Sequence, residues 1–172
     1  MLPDRFKAQC CSCPDFYGPS VDKSFLHIIF TAAAKGDRAT VIGPLDALHE
    51  YVFVPSVGPV VARLIEKPEA WGRVRHLAGA GTITAREVVH QAFALTGRKP
   101  RTFVEGKTML CLAGLFNPLM REMVEMNYLQ TSPLGMDDSA LRALLDDLPK
   151  TSYQQGISQE VAAAQAASGH IS

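Results

Sequence analysis

The sequence carries no excess charge of either sign, with 17 Lys and Arg against 17 Asp and Glu. No net field draws the chain to nucleic acid or to an anionic membrane, and neither is expected as a partner. Long hydrophobic runs are also missing. The most apolar stretch, "TMLCLAGLFNPLM" at 108–120, is well short of the roughly 20 residues a membrane span needs, and Asn117-Pro118 interrupts it. The opening "MLPDRFKAQCC" lacks a basic segment followed by an apolar core, so no secretory signal is expected. Cysteine is scarce and unevenly placed: three of the four crowd into "CCSC" (Cys10, Cys11, Cys13), and Cys111 stands apart. That is neither a disulfide framework nor the paired CxxC hooks of a structural zinc site. The expectation is reduced thiols, no metal and a soluble cytoplasmic chain.

What is present suffices for one ordinary core: 172 residues, 47% hydrophobic and 20% charged, fit a single domain. In "DKSFLHIIFTAAAKG" (22–36), Phe25, Ile28, Ile29 and Ala32 fall at helical spacing and Gly36 closes the helix. "RATVIGPLD" reads as a short strand stopped by Gly43-Pro44. "EYVFV" (50–54) reads as another, followed after Pro55 by a helix that tolerates Pro59 in its first turns. "GRVRHLAG", "AREVVHQAFALTG" and "RTFVE" continue as strand, helix and strand. From Gly106 onward the pattern is helical, with an apolar stripe of Met120, Met123, Met126 and Tyr128 that is core or a partner groove. Ser139 is the expected cap of a short helix ending before Pro149. Thr151 and Gln154 are the expected capping box of the last helix, which runs out into an Ala-rich tail.

"HLAGAGTITAREVV" (76–89) places Gly79-Ala80-Gly81 between a strand-like and a helix-like segment, where a phosphate-cradling dinucleotide loop would lie, and Glu105 follows at about the distance of a ribose-binding acid. Such a loop requires the helix to begin inside the glycine motif, with a third glycine for close packing. Thr84 occupies that third position, and Thr84 with Glu87 forms T-x-x-E, a capping box that fills the helix start with the chain's own side chains. The preceding "RVRHL" alternates polar and apolar residues, which implies one solvated face, unlike the doubly covered central strand of a nucleotide-binding sheet. Gly79 and Gly81 are therefore read as turn residues.

Three stretches in order, "CPDFYGPSV" (13–21), "HEYVFVPSVGPVV" (49–61) and "LPKTSYQQGI" (148–157), resemble the C-terminal half of the extended short-chain dehydrogenase/reductases, the NAD-dependent epimerase/dehydratase family. They are similar to its Tyr-Gly-Pro turn after the sixth sheet strand, its Arg-Asp to Asp-Val-Ala strand-to-helix segment and its Pro-Thr-x-x-x-x-Gly helix start. The chain departs from that pattern at Ser12, Ser56 and Gly58, where the family usually has Arg, Asp and Ala. The resemblance implies an α/β fold: the C-terminal portion of such a protein, a small sheet with several helices, the N-terminal Rossmann domain missing. It divides the chain into an abrupt non-family start (1–11), a substrate-binding-like α/β domain (12–160) and a frayed tail (161–172).

Intact relatives use NAD or NADP, held by GxxGxxG, and a Tyr-x-x-x-Lys pair for proton transfer. Neither motif occurs here: four positions after Tyr17, Tyr51, Tyr128 and Tyr153 stand Val21, Pro55, Ser132 and Ile157. The resemblance thus implies a substrate-binding portion with no catalytic residue and no cofactor bound by this chain alone. Its substrate would be a nucleotide sugar or related carbinol, and its partner a further copy or a separate Rossmann-domain chain. The rival expectation is a non-catalytic small-molecule-binding or interaction module. Residue by residue, Asp15 matches a substrate-side position or caps its own turn. His49 stands where relatives often carry a diphosphate-binding Arg, or is a surface histidine before a strand, with Glu50 beside it. Phe16 belongs to the substrate-side turn or anchors it, with Tyr17. Cys13 and Pro14 match positions beside the nicotinamide, or pack.

Overall fold

The computed structural model describes residues 10–22, 24–105 and 135–169. The helical stretch expected from Gly106, with Cys111 and the methionine stripe, lies outside these residues. Three small sheets organise the rest. β1 (Cys10–Ser12) pairs in parallel with β5 (Val74–His76). β4 (Leu48–Phe53) lies between β2 (Asp15–Tyr17), parallel to it, and β6 (Thr82–Thr84), antiparallel. β3 (Ala39–Ile42) pairs in parallel with β7 (Thr102–Glu105).

The helices follow local chemistry. In α1 (Phe25–Lys35) the Ser24 side chain accepts from Leu26 N at 3.3 Å, and Gly36 at φ 81° closes the helix. The buried face is Leu26, Ile29, Phe30, Ala32 and Ala33, while Phe25 is half-buried and Ile28 exposed, so the stripe is rotated from the one expected. Helix α2 (Val54–Ile65) starts directly from β4, one residue before Pro55 rather than after it, and accommodates Pro59 inside. Pro55, in the first turn, costs no hydrogen bond because the N–H groups there have no intrahelical partner, whereas Pro59, the sixth helical residue, removes one. Helix α3 (Ala85–Leu95) has the expected capping box. Thr84 Oγ1 accepts from Glu87 N at 3.2 Å, and Glu87 Oε2 accepts from Thr84 N at 2.8 Å.

Two caps differ from expectation by one residue. Helix α4 (Ser139–Arg142) has Asp138 at its N-cap, and Ser139 is its first residue, its N–H donating to the Asp137 carboxylate at 2.9 Å. At α5 (Tyr153–Gly169) the Ser152 hydroxyl accepts from Gln155 N at 3.3 Å and donates to Gln155 Oε1 at 3.2 Å, while Thr151 turns away to meet the Ser56 hydroxyl at 2.7 Å. A serine and a threonine side by side can each cap, and the tertiary partner decides which one does. The helix runs on to Gly169 with Val161 in the core, and β1 already includes Cys10 and Cys11.

β4 divides the core in two. Tyr51 and Phe53 point to one side, joining Tyr17, Phe30, Val88, Phe93 and Ile157 beneath α1, α3 and α5. Val52 points to the other, joining Val60, Leu64, Leu77, Leu141 and Leu145. In β5 one face is exposed, as the alternation requires, but it carries Val74 (58% exposed) and His76, while Arg75 is half-buried.

Candidate functional site

The three family-like stretches meet at one joint. Tyr17 of β2 is 1% exposed, its ring 5.2 Å from that of Phe53 and stacked at 5.9 Å on that of Tyr153. Gly156 makes this possible: a Cβ there would lie 2.9 Å from two carbons of the Tyr17 ring. Tyr153 ties the joint to the glycine turn, donating its hydroxyl to the Gly81 carbonyl at 2.7 Å and accepting from Tyr51 N at 3.0 Å. Burial raises the pKa of all three tyrosines, with Tyr153 pushed up to about 12. In this structure the three phenols pack and tether the joint.

The candidate residues fall around this joint, on opposite sides of the sheet. In β2, Asp15 lies opposite Tyr51 and Phe16 opposite Val52, so Asp15 shares the Tyr51 side and Phe16 the Val52 side. Both are exposed, Phe16 by 42%, so Tyr17 alone of the pair is a core anchor. The surface reading of His49 and Glu50 does not hold: they are 8% and 6% exposed. They lie within the central strand, which starts at Leu48 and is flanked by strands on both edges. His49 helps line a recess with Leu26, Ile29, Val41, Pro44 and Tyr51, its ring 6.2 Å from that of Tyr51. Glu50 faces the other way, where its Oε2 accepts from Met136 N at 2.7 Å. The structure therefore brings Asp15 and His49 to the Tyr51 side and separates them from Glu50 and Phe16.

Cys13 is half-buried, and desolvation with the neighbouring Cys11 pushes its thiol up to about 12; Pro14 is buried. Both pack here. Gly79 is required by close approach, since a Cβ there would run into the Tyr51 carbonyl. Gly81 (φ 103°) leads into β6, so a strand separates the glycine turn from the start of α3. A dinucleotide pyrophosphate needs open N–H groups at a helix start. Here Thr84 and Glu87 occupy that start and Tyr153 holds the Gly81 carbonyl, so the residues present do not fit one. Among the described residues no cluster of three or more His, Cys, Asp or Glu could hold a metal, and no helix is long and apolar enough to cross a membrane. Sequence reasoning passed over Tyr51 and Tyr153 as site-building residues. The usable signal was that each of the three family-like stretches carries one tyrosine.

No protein-family model and no curated protein matches the sequence. Solved structures do match its fold. The chain is similar to UDP-glucuronic acid 4-epimerase from Bacillus cereus in complex with NAD (12% identity, TM-score 0.69), covering 91% of this chain and 44% of that one. It is similar to dTDP-glucose 4,6-dehydratase from Bacillus anthracis in complex with NAD (16%, 0.67), covering 91% and 44%. It is also similar to an epimerase from Methanothermobacter thermautotrophicus (14%, 0.75), covering 96% and 45%. The chain thus has the α/β fold of part of the NAD-dependent epimerases and dehydratases and spans under half of their length, consistent with the C-terminal half that its three stretches resemble.

Proposed function

We propose that this chain is the substrate-binding portion of an NAD(P)-dependent epimerase/dehydratase-like protein, without catalysis on its own. One observation carries the reading: the fold accounts for under half of the matching enzymes, and the part present has turned its tyrosines and glycine turn into packing elements. The ligand side is the Tyr51 face of the β2–β4 pair, where Asp15 is exposed and His49 lines the recess. A nucleotide sugar or related carbinol would be oriented there by Asp15, with His49 beneath, while Phe16 lies on the opposite face. An imidazole holds a diphosphate less firmly than the fork of a guanidinium, so affinity is modest. Glu50 supports this face by fixing the 136 backbone from behind, and Cys13 and Pro14 set the approach of β2. A separate Rossmann-domain chain would supply cofactor and proton-transfer groups, consistent with the NAD bound by the Bacillus enzymes.

The test is calorimetric titration of the chain with UDP-glucuronic acid and, separately, with NADH. The nucleotide sugar is expected to bind, and His49→Ala to weaken it about 10-fold, equivalent to ~1.4 kcal/mol. Saturable NADH binding abolished by Gly81→Val would overturn the reading, as would no binding of the nucleotide sugar.

A further inference from the structure

We propose that Cys11 and Cys13 form a reversible intramolecular disulfide that shifts Asp15. This inference stands on the geometry of residues 10–15 and goes beyond the substrate-binding reading.

Cys11 lies in β1 opposite Arg75, and Cys13 follows one residue past the strand end. Both are half-buried thiols packed against the same aliphatic cluster, so they share one side of the chain and flank Ser12. They are close enough that Cys11 contributes to raising the Cys13 thiol. Residues two apart in an extended strand have Cα atoms roughly 6.6 Å apart. A disulfide spans Cα distances of about 4.4–6.8 Å. The Cβ atoms of such a pair are about as far apart, beyond the roughly 3.5–4.5 Å that a disulfide needs, so the bond forms only as the segment bends and draws Ser12 out of line.

Ser12 pairs with His76, and its carbonyl accepts from Leu77 N at 2.9 Å, so closure loosens the end of the β1–β5 ladder. Pro14, with its fixed φ, passes the displacement to Asp15, which sits opposite Tyr51 at the start of β2. A strained bond of this kind is readily reduced again.

The oxidant is a low-molecular-weight disulfide such as oxidised glutathione. The Cys11 thiolate attacks one glutathione sulfur, forming a mixed disulfide and releasing one glutathione thiolate, which takes up a proton. Cys13 then gives its proton to water or buffer and attacks the Cys11 sulfur, forming the Cys11–Cys13 bond and releasing the second glutathione. Two protein thiols are oxidised and one glutathione disulfide is reduced to two thiols. Cys13, with its thiol pushed up to about 12, is the poorer first attacker and acts second.

The test treats the full chain with oxidised glutathione and reads intact mass and peptide maps. The expected product has lost two hydrogens, carries no adduct and maps to a Cys11–Cys13 link. Cys13→Ser should stop at a stable glutathione adduct on Cys11, and Cys11→Ser should form no link. In two-dimensional NMR the Asp15 amide should move on oxidation and return with dithiothreitol. Links through Cys10 or Cys111, persistent adducts on the unaltered chain, or an unmoved Asp15 would overturn the proposal. No ligand is present, so these outcomes are independent of substrate binding.

Discussion

The two sides of β4 are built from different chemistry. The Tyr51 side is aromatic and interlocked: Tyr17 meets Phe53 tilted at 5.2 Å and stacks on Tyr153 at 5.9 Å, and Gly156 leaves room for its ring. The Val52 side is aliphatic, and its polar groups are closed by bonds, Glu50 to Met136 N and Asp138 to Arg142 and Lys150. Two neighbouring residues of one strand, His49 and Glu50, therefore serve different ends. The pleat sends them to opposite faces, so an adjacent pair in sequence cannot line one pocket from within a strand. His49 is left at a recess, and Glu50 is a structural acceptor.

The hardest blow to this contrast is expected at Gly156. Gly156→Ala forces a methyl into the buried Tyr17 ring and should cost about 3 kcal/mol by overpacking. Gly58→Ala in α2, where a Cβ meets nothing within 4 Å, should be neutral or gain up to about 1 kcal/mol. Urea midpoints of the two variants measure the difference. Next comes the Val52 side. Glu50→Ala leaves the Met136 N–H without its acceptor and should cost about 2 kcal/mol. If β4 separates support from binding, stability measured by urea should fall far more for Glu50→Ala than for His49→Ala. Titration with UDP-glucuronic acid should show the reverse order. A smaller effect is expected at the start of α3, where Thr84→Ala removes the cap and should cost about 1 kcal/mol in thermal or urea unfolding.

The smallest effect concerns Glu160, buried where α5 meets α1, its Oε1 3.5 Å from His27 Nδ1. Desolvation raises its pKa above the ordinary 4.5, with His27 partly opposing and Asp22 adding to the rise. A raised folded-state pKa means that the stability it contributes is present below 4.5 and is lost as pH rises through the folded value. Glu160→Gln should therefore gain on the natural chain as pH increases from 4.5 toward neutrality. Urea midpoints across that range would show two curves that diverge upward for the variant, and parallel curves would refute the assignment.

Much of this was legible where a rule acts locally. The Gly36 stop of α1 and the Thr84–Glu87 box are bonds between near neighbours, so spacing reveals them. The turn reading of Gly79 and Gly81 followed from that box. The strands β1, β2 and β6 were not legible as separate elements, because three residues carry hardly more than one period and their pairing is set by partners elsewhere in the chain. The same holds for the α5 cap, since Thr151 prefers the distant Ser56 hydroxyl and leaves Ser152 to cap. The burial of His49 and Glu50 was missed because β4 begins at Leu48 and is covered on both faces. The alternation in "RVRHL" implied one solvated face but not which residues lie on it; the fold places Val74 and His76 there and leaves Arg75 half-buried.

The Tyr153 hydroxyl reaches the backbone of Tyr51, 102 positions earlier in the chain. A ribosome making this polypeptide releases β4 long before it releases the residue that clasps it, and closing so wide a loop carries an entropic cost. The aromatic side of the strand waits uncovered in the nascent chain until α5 has emerged, so its docking comes late in folding.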